Sequence, residues 1–400
     1  MRIVRTIIKI ISKTVACLIV IALFAVAATS FSPVYRFRAP VAFAGPDIYN
    51  PYQNLDTANC WKRANFHTHT KVDGLMNECE YWPDEVYERL AKLGYDIVTF
   101  SNHNKLTEHP FDSSLQVNVY EHGYNLFKYH KLVFGPDKVR HRDHLIPFTA
   151  SQKQFQLDYL KEDSDFIQIN HPLRTESISR KQLEKLSGYR LIELDSGRST
   201  ENEYWDWVLS AGHYCFGTAN DDLHYPDRSG RIAVRCNFLC CESAGYEDIM
   251  QALTDGCFYS MRVPDYGRGD WNIKYEKNAQ LPYISHISLN DSKISISVSQ
   301  IADSIKVTGQ DHKTLHVAYE TASLEYGMKT EDSYARLTVW FPEGEVIYTN
   351  PFARYDASTA ISPYDDTKQD IDIILTILFN LLVLVVAAVC LYTLYKLIKR

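Results

Sequence analysis

Apolar positions along this chain fall into three patterns. Two long unbroken runs lie near the ends, Thr14–Phe31 and Ile373–Tyr395. Between them, short apolar runs alternate with amphipathic stretches up to about residue 280. A strict two-residue alternation then takes over, as in Lys293-Ile294-Ser295-Ile296-Ser297-Val298-Ser299.

A bilayer core of ~30 Å needs roughly 20 apolar residues, so both terminal runs read as membrane spans. Arg2, Arg5, Lys9 and Lys13 precede the first, and Lys396, Lys399 and Arg400 close the second. Such flanks predict both termini in the cytoplasm and residues from about 32 to 370 on the far side. For the first run, a signal peptide cleaved after Ala25-Val26-Ala27 is the alternative.

The middle of the chain predicts α/β structure. Pro83, Asp84 and Glu85 suit the start of a helix, with Val86, Leu90 and Leu93 on one face and Gly94 as its stop. Strands are expected at Tyr95–Phe100, Leu115–Tyr120, Leu132–Phe134, Phe166–Asn170, Leu191–Leu194 and Tyr214–Thr218. Helical patterns fall around 151–161, 179–187, 201–211 and 246–255. This alternation predicts a mainly parallel sheet with helices outside, open or closed into a barrel. Residues 32–59, rich in Pro, Ala and Tyr, read as a linker, and 60–275 as the α/β domain. Alternation after 280 and the turn Pro342-Glu343-Gly344 predict a small antiparallel β domain over 280–355, ahead of a C-terminal span at 371–396.

Charge and cysteine change the picture only slightly. The net charge of −7 argues against a duplex nucleic-acid binder, which would present a basic face. Seven of the nine cysteines lie outside the spans, and Cys60–Cys79 is the preferred pair in an oxidising compartment.

The chemistry sits after the strands. His67 and His69 follow Ala64-Asn65-Phe66; Asn102 and His103 follow the run ending at Ser101. Glu121, His171, and then Asp221, Asp222 and His224 follow three more strands. Strand ends that share one face build active sites. Imidazole and carboxylate together suit Zn, Mn or Fe. In His67-Thr68-His69 the two imidazoles point the same way on an extended strand. A carboxylate such as Glu121 can bridge two ions, and close-set ions acidify water and clamp both oxygens of a phosphoryl displacement. Each piece alone has a bland reading: an incidental HxH, a loop ion pair at Asp222 and His224, a surface charge at Glu121. Arg174 and Arg198, just after two of these strands, could hold phosphate bidentately or be ordinary surface arginines. Glu193 and Asp195 could brace the histidines or be strand-end polar groups.

In order, these residues resemble the PHP (polymerase and histidinol phosphatase) superfamily of metal-dependent phosphoesterases. Phe66-His67-Thr68-His69 and Asp73-Gly74 match its opening H-x-H and Asp-Gly. Gly94-Tyr95-Asp96, Ser101-Asn102-His103-Asn104, Tyr120-Glu121-His122-Gly123, Asn170-His171-Pro172 and Asp222-Leu223-His224 match the later motifs. The resemblance covers about residues 60–265. It implies a distorted (βα)₇ TIM-like barrel holding two or three divalent ions. The implied ligands are His67, His69, Asp73, His103, Glu121, His171, Asp222 and His224, with Glu121 and Asp222 also catalytic. A further histidine ligand is implied between Glu121 and His171, with His122, His130, His141 and His144 as candidates. Asn102 stands where the family has Asp, and the step from His69 to Asp73 is one residue short.

The implied activity is a phosphoesterase working outside the cytoplasm on a phosphorylated small molecule or envelope component. Two other readings stay open: amide or ester hydrolysis at the same site, and a binding or assembly module that keeps metals without turnover.

Overall fold

A computed structural model describes residues 2–55, 61–73, 77–194 and 202–399. The architecture is mixed α/β with an apolar helix at each end. Its ladders form two main sheets. One has five strands in the order Val119–His122, Lys131–Phe134, Phe166–Ile169, Leu191–Glu193, Phe216–Thr218. The first two pairings are antiparallel and the last two parallel. The other sheet has eleven strands and includes Trp61–Asn65, parallel to Ile97–Val98 and antiparallel to Arg235–Cys240.

The closed parallel barrel expected from the sequence is not formed by these ladders among the described residues. The sheets meet instead at a seam of isolated bridges that takes in both edges of the five-stranded sheet: Thr68 with Leu223, beyond its Phe216–Thr218 strand, and His103 with Glu121, in its Val119–His122 strand. His69 N donates to Leu223 O at 2.9 Å, and Leu223 N to His67 O at 3.1 Å. Ser101 N donates to Thr68 O at 2.8 Å, and Glu121 N to Ser101 O at 3.1 Å. The segments bearing His67, His69, His103, Glu121 and Leu223 therefore lie side by side across the seam.

The expected helices form at Pro83–Lys92, Ala150–Lys161, Arg180–Leu183, Glu203–Ser210 and Tyr246–Asp255. The second carries a capping box, in which Thr149 accepts from Gln152 N and the Gln152 side chain accepts from Thr149 N. The run Leu115–Tyr120 is only partly a strand: Ser113–Leu115 is a short 3-10 turn capped by Asp112.

Antiparallel strands occupy the region after 280, as the alternation indicates. They do not stand apart, however. Val346–Thr349 pairs with Phe258–Arg262, so this region continues the sheet that contains Trp61–Asn65. Alternating patterns show which face of a strand is buried but not which strand it pairs with. The stretch read as a linker also belongs to the body. Phe43, Tyr49 and Tyr52 are buried, Asp47–Tyr49 pairs with Phe352–Tyr355, and Tyr52 Oη donates to Phe258 O at 3.0 Å. Its aromatic residues pack as single anchors, without the periodicity that would announce an element.

Ile3–Thr29 and Ile373–Lys399, 27 residues each, are long and apolar enough to cross a membrane. They pack side by side. Just beyond the first helix, Ser32 N donates to Asn380 Oδ1 at 3.2 Å and Val34 N to Thr376 Oγ1 at 2.9 Å. Cys60, of the expected disulfide, lies outside the described residues.

A buried ion pair fixes the Glu203–Ser210 helix to the sheet. Arg336 donates from Nε and an Nη to both oxygens of Asp206, at 2.8 and 2.6 Å, and both side chains are almost wholly buried. Removing one partner strands a buried charge, which costs more than losing an apolar contact. Arg336→Met should therefore destabilise the protein by about 3–5 kcal/mol, measured by urea unfolding in detergent. A change below about 1 kcal/mol would show that His312, which also pairs with Asp206, compensates its charge without Arg336.

Candidate metal centre

Glu121 is the penultimate residue of the Val119–His122 strand and is 1% exposed. Its Oε1 lies 3.2 Å from His67 Nε2, 3.1 Å from His130 Nδ1 and 3.3 Å from His171 Nε2. Its Oε2 lies 3.3 Å from His69 Nε2 and 2.9 Å from His103 Nε2. Asp222 Oδ1 approaches His67 Nε2 and His69 Nε2 at 3.1 and 3.2 Å. Among the described residues, three groups have geometry that could hold a metal ion: His67, His69, Glu121 and Asp222; His69, Glu78 and His103; and His103, Glu121 and His130. They overlap through His69, His103 and Glu121.

Neighbouring side chains set how the imidazoles present themselves. His67 Nδ1 donates to Glu193 Oε1 at 2.9 Å, which leaves the Nε2 lone pair facing Glu121 and Asp222. Glu193 Oε2 also accepts from His171 N at 2.8 Å. Glu193 thus braces two of the histidines. Asn170 Nδ2 donates to Glu121 Oε1 at 2.9 Å. His67 Nε2 and His69 Nε2 are buried with no hydrogen-bond partner among the described residues. Buried nitrogen without a partner is costly in a folded protein, and a cation accepts its lone pair. The donor set, neutral imidazole and carboxylate, fits a divalent ion of the first transition row.

Charge points the same way. Burial opposes the charge on Glu121, yet His103, His67 and His130 outweigh it and hold its pKa well below the carboxylate range. Burial likewise opposes charge on His103, but Glu121 and Glu78 push its pKa up to about 10. His67 is raised well above its usual value by Asp222, Glu121 and Glu193, again against burial. Without metals, protons on imidazole would supply the positive charge these carboxylates require.

His171 and Asp222 adopt left-handed backbone, at φ 30° and φ 50°. Such residues cost roughly 1–3 kcal/mol each and concentrate at functional sites. Asp221 and Asp222 divide the labour: Asp222 turns to the imidazoles, while Asp221 accepts from the backbone N–H groups of Ala233, Val234 and Arg235 at 2.7–3.0 Å.

One group, Glu78, was not singled out in the sequence. Glu78 arrives from the loop before the Pro83–Lys92 helix; its Oε2 is 3.0 Å from His103 Nε2 and 3.4 Å from His224 Nε2. Asp73, expected as a ligand, is exposed and lies outside all three groups. Of the four candidate histidines, His130 joins the cluster. His122 faces Arg142 O, His144 faces Thr29 O, and His141 is exposed. His130 precedes its strand rather than following it. That strand runs antiparallel to both neighbours, so its beginning lies where their ends lie.

His224 flanks the cluster, its Nδ1 donating to Asp222 O at 2.8 Å. Asn102 serves the backbone instead. Its Oδ1 accepts from Thr70 N at 2.8 Å, and its Nδ2 donates to Thr70 Oγ1 and Thr107 Oγ1 at 2.7 and 2.8 Å. An aspartate could not donate both bonds. Arg174, on the Pro172–Thr175 turn, pairs with Asp222 Oδ2 and remains about one-third exposed. Arg198 lies outside the described residues.

No family model matches the chain, and no curated protein matches it. The crystal structure of a two-domain protein from Bacteroides vulgatus, described as containing a predicted PHP-like metal-dependent phosphoesterase, is similar. The match has a TM-score of 0.39 and 15% identity, and covers 78% of this chain and 99% of the other. A likeness at that score establishes neither fold nor family.

Glu78→Ala should weaken metal binding at least about ten-fold, whereas Asp73→Ala should leave it unchanged in a metal titration of the same protein. The reverse ranking would restore Asp73 as the ligand. The pH dependence has a definite sign. In the metal-free protein the His103 proton stabilises the fold fully below its ordinary pKa, and that contribution is lost as pH rises through about 10. A divalent ion must displace such protons, so the thermal shift on adding Mn²⁺ should grow from about pH 6.5 to about pH 8.5. A shift that shrinks over that window contradicts this arrangement.

Proposed function

We propose that this chain is a membrane-anchored metal-dependent hydrolase of phosphate esters, its site facing away from the cytoplasm. The observation that carries the reading is the set of three overlapping His/carboxylate groups with an arginine paired at its edge. In this reading the terminal helices are the anchors, and their basic flanks place both termini inside.

Zn, Mn or Fe held there, two or three ions in all, would acidify water and offset charge on a phosphoryl group. The chain supplies the rest. Glu193 keeps His67 in the tautomer that points Nε2 inward. Glu121 and Asp222 fix the spacing between donor groups. Arg174 presents a guanidinium at the accessible side, where it can bind two phosphate oxygens in a fork. In the reaction, water oxygen bonds to phosphorus, the ester phosphorus–oxygen bond breaks, and the leaving oxygen takes up a proton.

Arg174 also favours an anionic substrate over a neutral amide. Asn102 does not argue for a site that has lost turnover, since its amide is fully used in holding Thr70 and Thr107.

Detergent-solubilised full-length protein should hydrolyse phosphomonoesters or diesters once Mn²⁺ or Zn²⁺ is supplied, and should leave amides intact. Glu121→Gln should reduce turnover by about 10³-fold or more, and Arg174→Ala kcat/KM by about 100-fold. Faster turnover of amides, or no phosphoester turnover by metal-saturated protein, would overturn the proposal.

A further inference from the structure

Beside the cluster lies a cavity of about 640 Å³, with Arg174 in its wall. That volume is ample for a phosphorylated head group. Its lining also includes Leu126, Phe127, Lys128, Pro147 and Phe148. Leu126, Phe127 and Phe148 are 65%, 46% and 58% exposed, and the two rings meet edge to face at 6.0 Å. A rim with this much bare apolar surface is unusual on a water-facing protein and marks a contact with something apolar.

The rim is joined to the end of the N-terminal apolar helix. Leu126 N donates to Leu145 O at 3.0 Å, and Leu145 N donates to Thr29 Oγ1 at 3.1 Å. Two hydrogen-bonded steps, one between backbones and one to the Thr29 hydroxyl, roughly 10 Å in all, thus separate Leu126 from Thr29. More bonds bind the same region: Arg142 to Phe31 O at 3.0 Å, Gln152 Nε2 to Ser30 O at 3.4 Å, and Tyr35 N to Ser151 Oγ at 3.1 Å. Thr29 to Phe31 is where the apolar run stops. A helix that crosses the bilayer therefore sets this rim at the bilayer surface, where aromatic side chains settle.

The lining combines three kinds of group: exposed apolar side chains at Leu126, Phe127 and Phe148, the cation Lys128 next to Phe127 in the chain, and Arg174, which pairs with Asp222 of the metal cluster. These suit the three parts of an amphiphile: acyl chain, phosphate, and the bond to be cut.

We propose that the substrate is a membrane lipid whose head group carries the phosphate ester, entering from the leaflet across Leu126, Phe127 and Phe148. The proposal rests on the phosphoesterase reading and on the terminal helices being spans. Water adds to phosphorus and the phosphorus–oxygen ester bond breaks. A lipid phosphomonoester then leaves a lipid alcohol and inorganic phosphate.

The test uses the full chain reconstituted with Mn²⁺ in phosphatidylcholine vesicles. Phosphatidic acid and phosphatidylglycerol, each at a few mole per cent, are the lipid probes, and p-nitrophenyl phosphate and its bis ester are the soluble ones. Wild type should turn over a lipid probe. In the Phe127→Ala/Phe148→Ala variant the ratio of lipid to soluble turnover should fall at least about ten-fold. The soluble rate also reports whether the variant folds; if it is lost, Leu126→Ser is compared by the same ratio. Turnover of soluble esters without turnover of either lipid, or an unchanged ratio, overturns the lipid proposal alone. No turnover of any probe by metal-saturated protein overturns the phosphoesterase reading beneath it.

Discussion

Glu121 is a fully buried carboxylate facing five imidazoles, at 2.9–3.3 Å. An isolated charge in that position would be prohibitively costly, so the site exists only as a set. The histidines come from four separate segments, and none of them could settle without the others. The same requirement explains the seam between the sheets. Bridges at Thr68 and Leu223, and at His103 and Glu121, bring the backbones close enough for the side chains to share charge. Continuous ladders around a regular barrel are not needed for this; single bridges from both edges of the five-stranded sheet to the segments after Trp61–Asn65 and Ile97–Val98 are enough. The left-handed backbone at His171 and Asp222 belongs to the same compromise. Local strain at two residues is offset by the convergence it allows.

The placement of the site follows from a second set of bonds. The segment 142–152 is hydrogen-bonded to Thr29, Ser30 and Phe31, the end of an apolar helix. The strand pair that carries Glu121 and His130 leads directly into that segment. The face that carries the cluster and the end of the N-terminal apolar helix are therefore fixed to each other by a few residues of chain rather than joined by a slack tether. The region 32–55, with Phe43, Tyr49 and Tyr52 buried, makes the attachment firmer.

Much of the site is visible in the sequence because it follows strand ends. His67, His69, His103, Glu121, His171, Asp222 and His224 each come just after an apolar run, and the structure gathers them. That rule fails for His130, which precedes a strand; only the antiparallel pairing carries it to the same face. Glu78 has no such marker, since it rides on a loop whose course depends on tertiary contacts. Asp73 fitted a motif but is exposed and lies outside the cluster. The strands and helices were legible from periodicity, whereas their pairing was not. Hence a closed barrel and a separate β region were expected, while the ladders form two sheets and run the later strands into one of them.

The central claim is that this cluster binds ions rather than a network of protons. Anomalous scattering from crystals of the full-length protein grown with Mn²⁺ tests it most directly. The account predicts at least two peaks within the cluster, one of them bounded by His67, His69, Glu121 and Asp222. A map without peaks there, with the imidazoles instead hydrogen-bonded to Glu121 and Asp222, would contradict it.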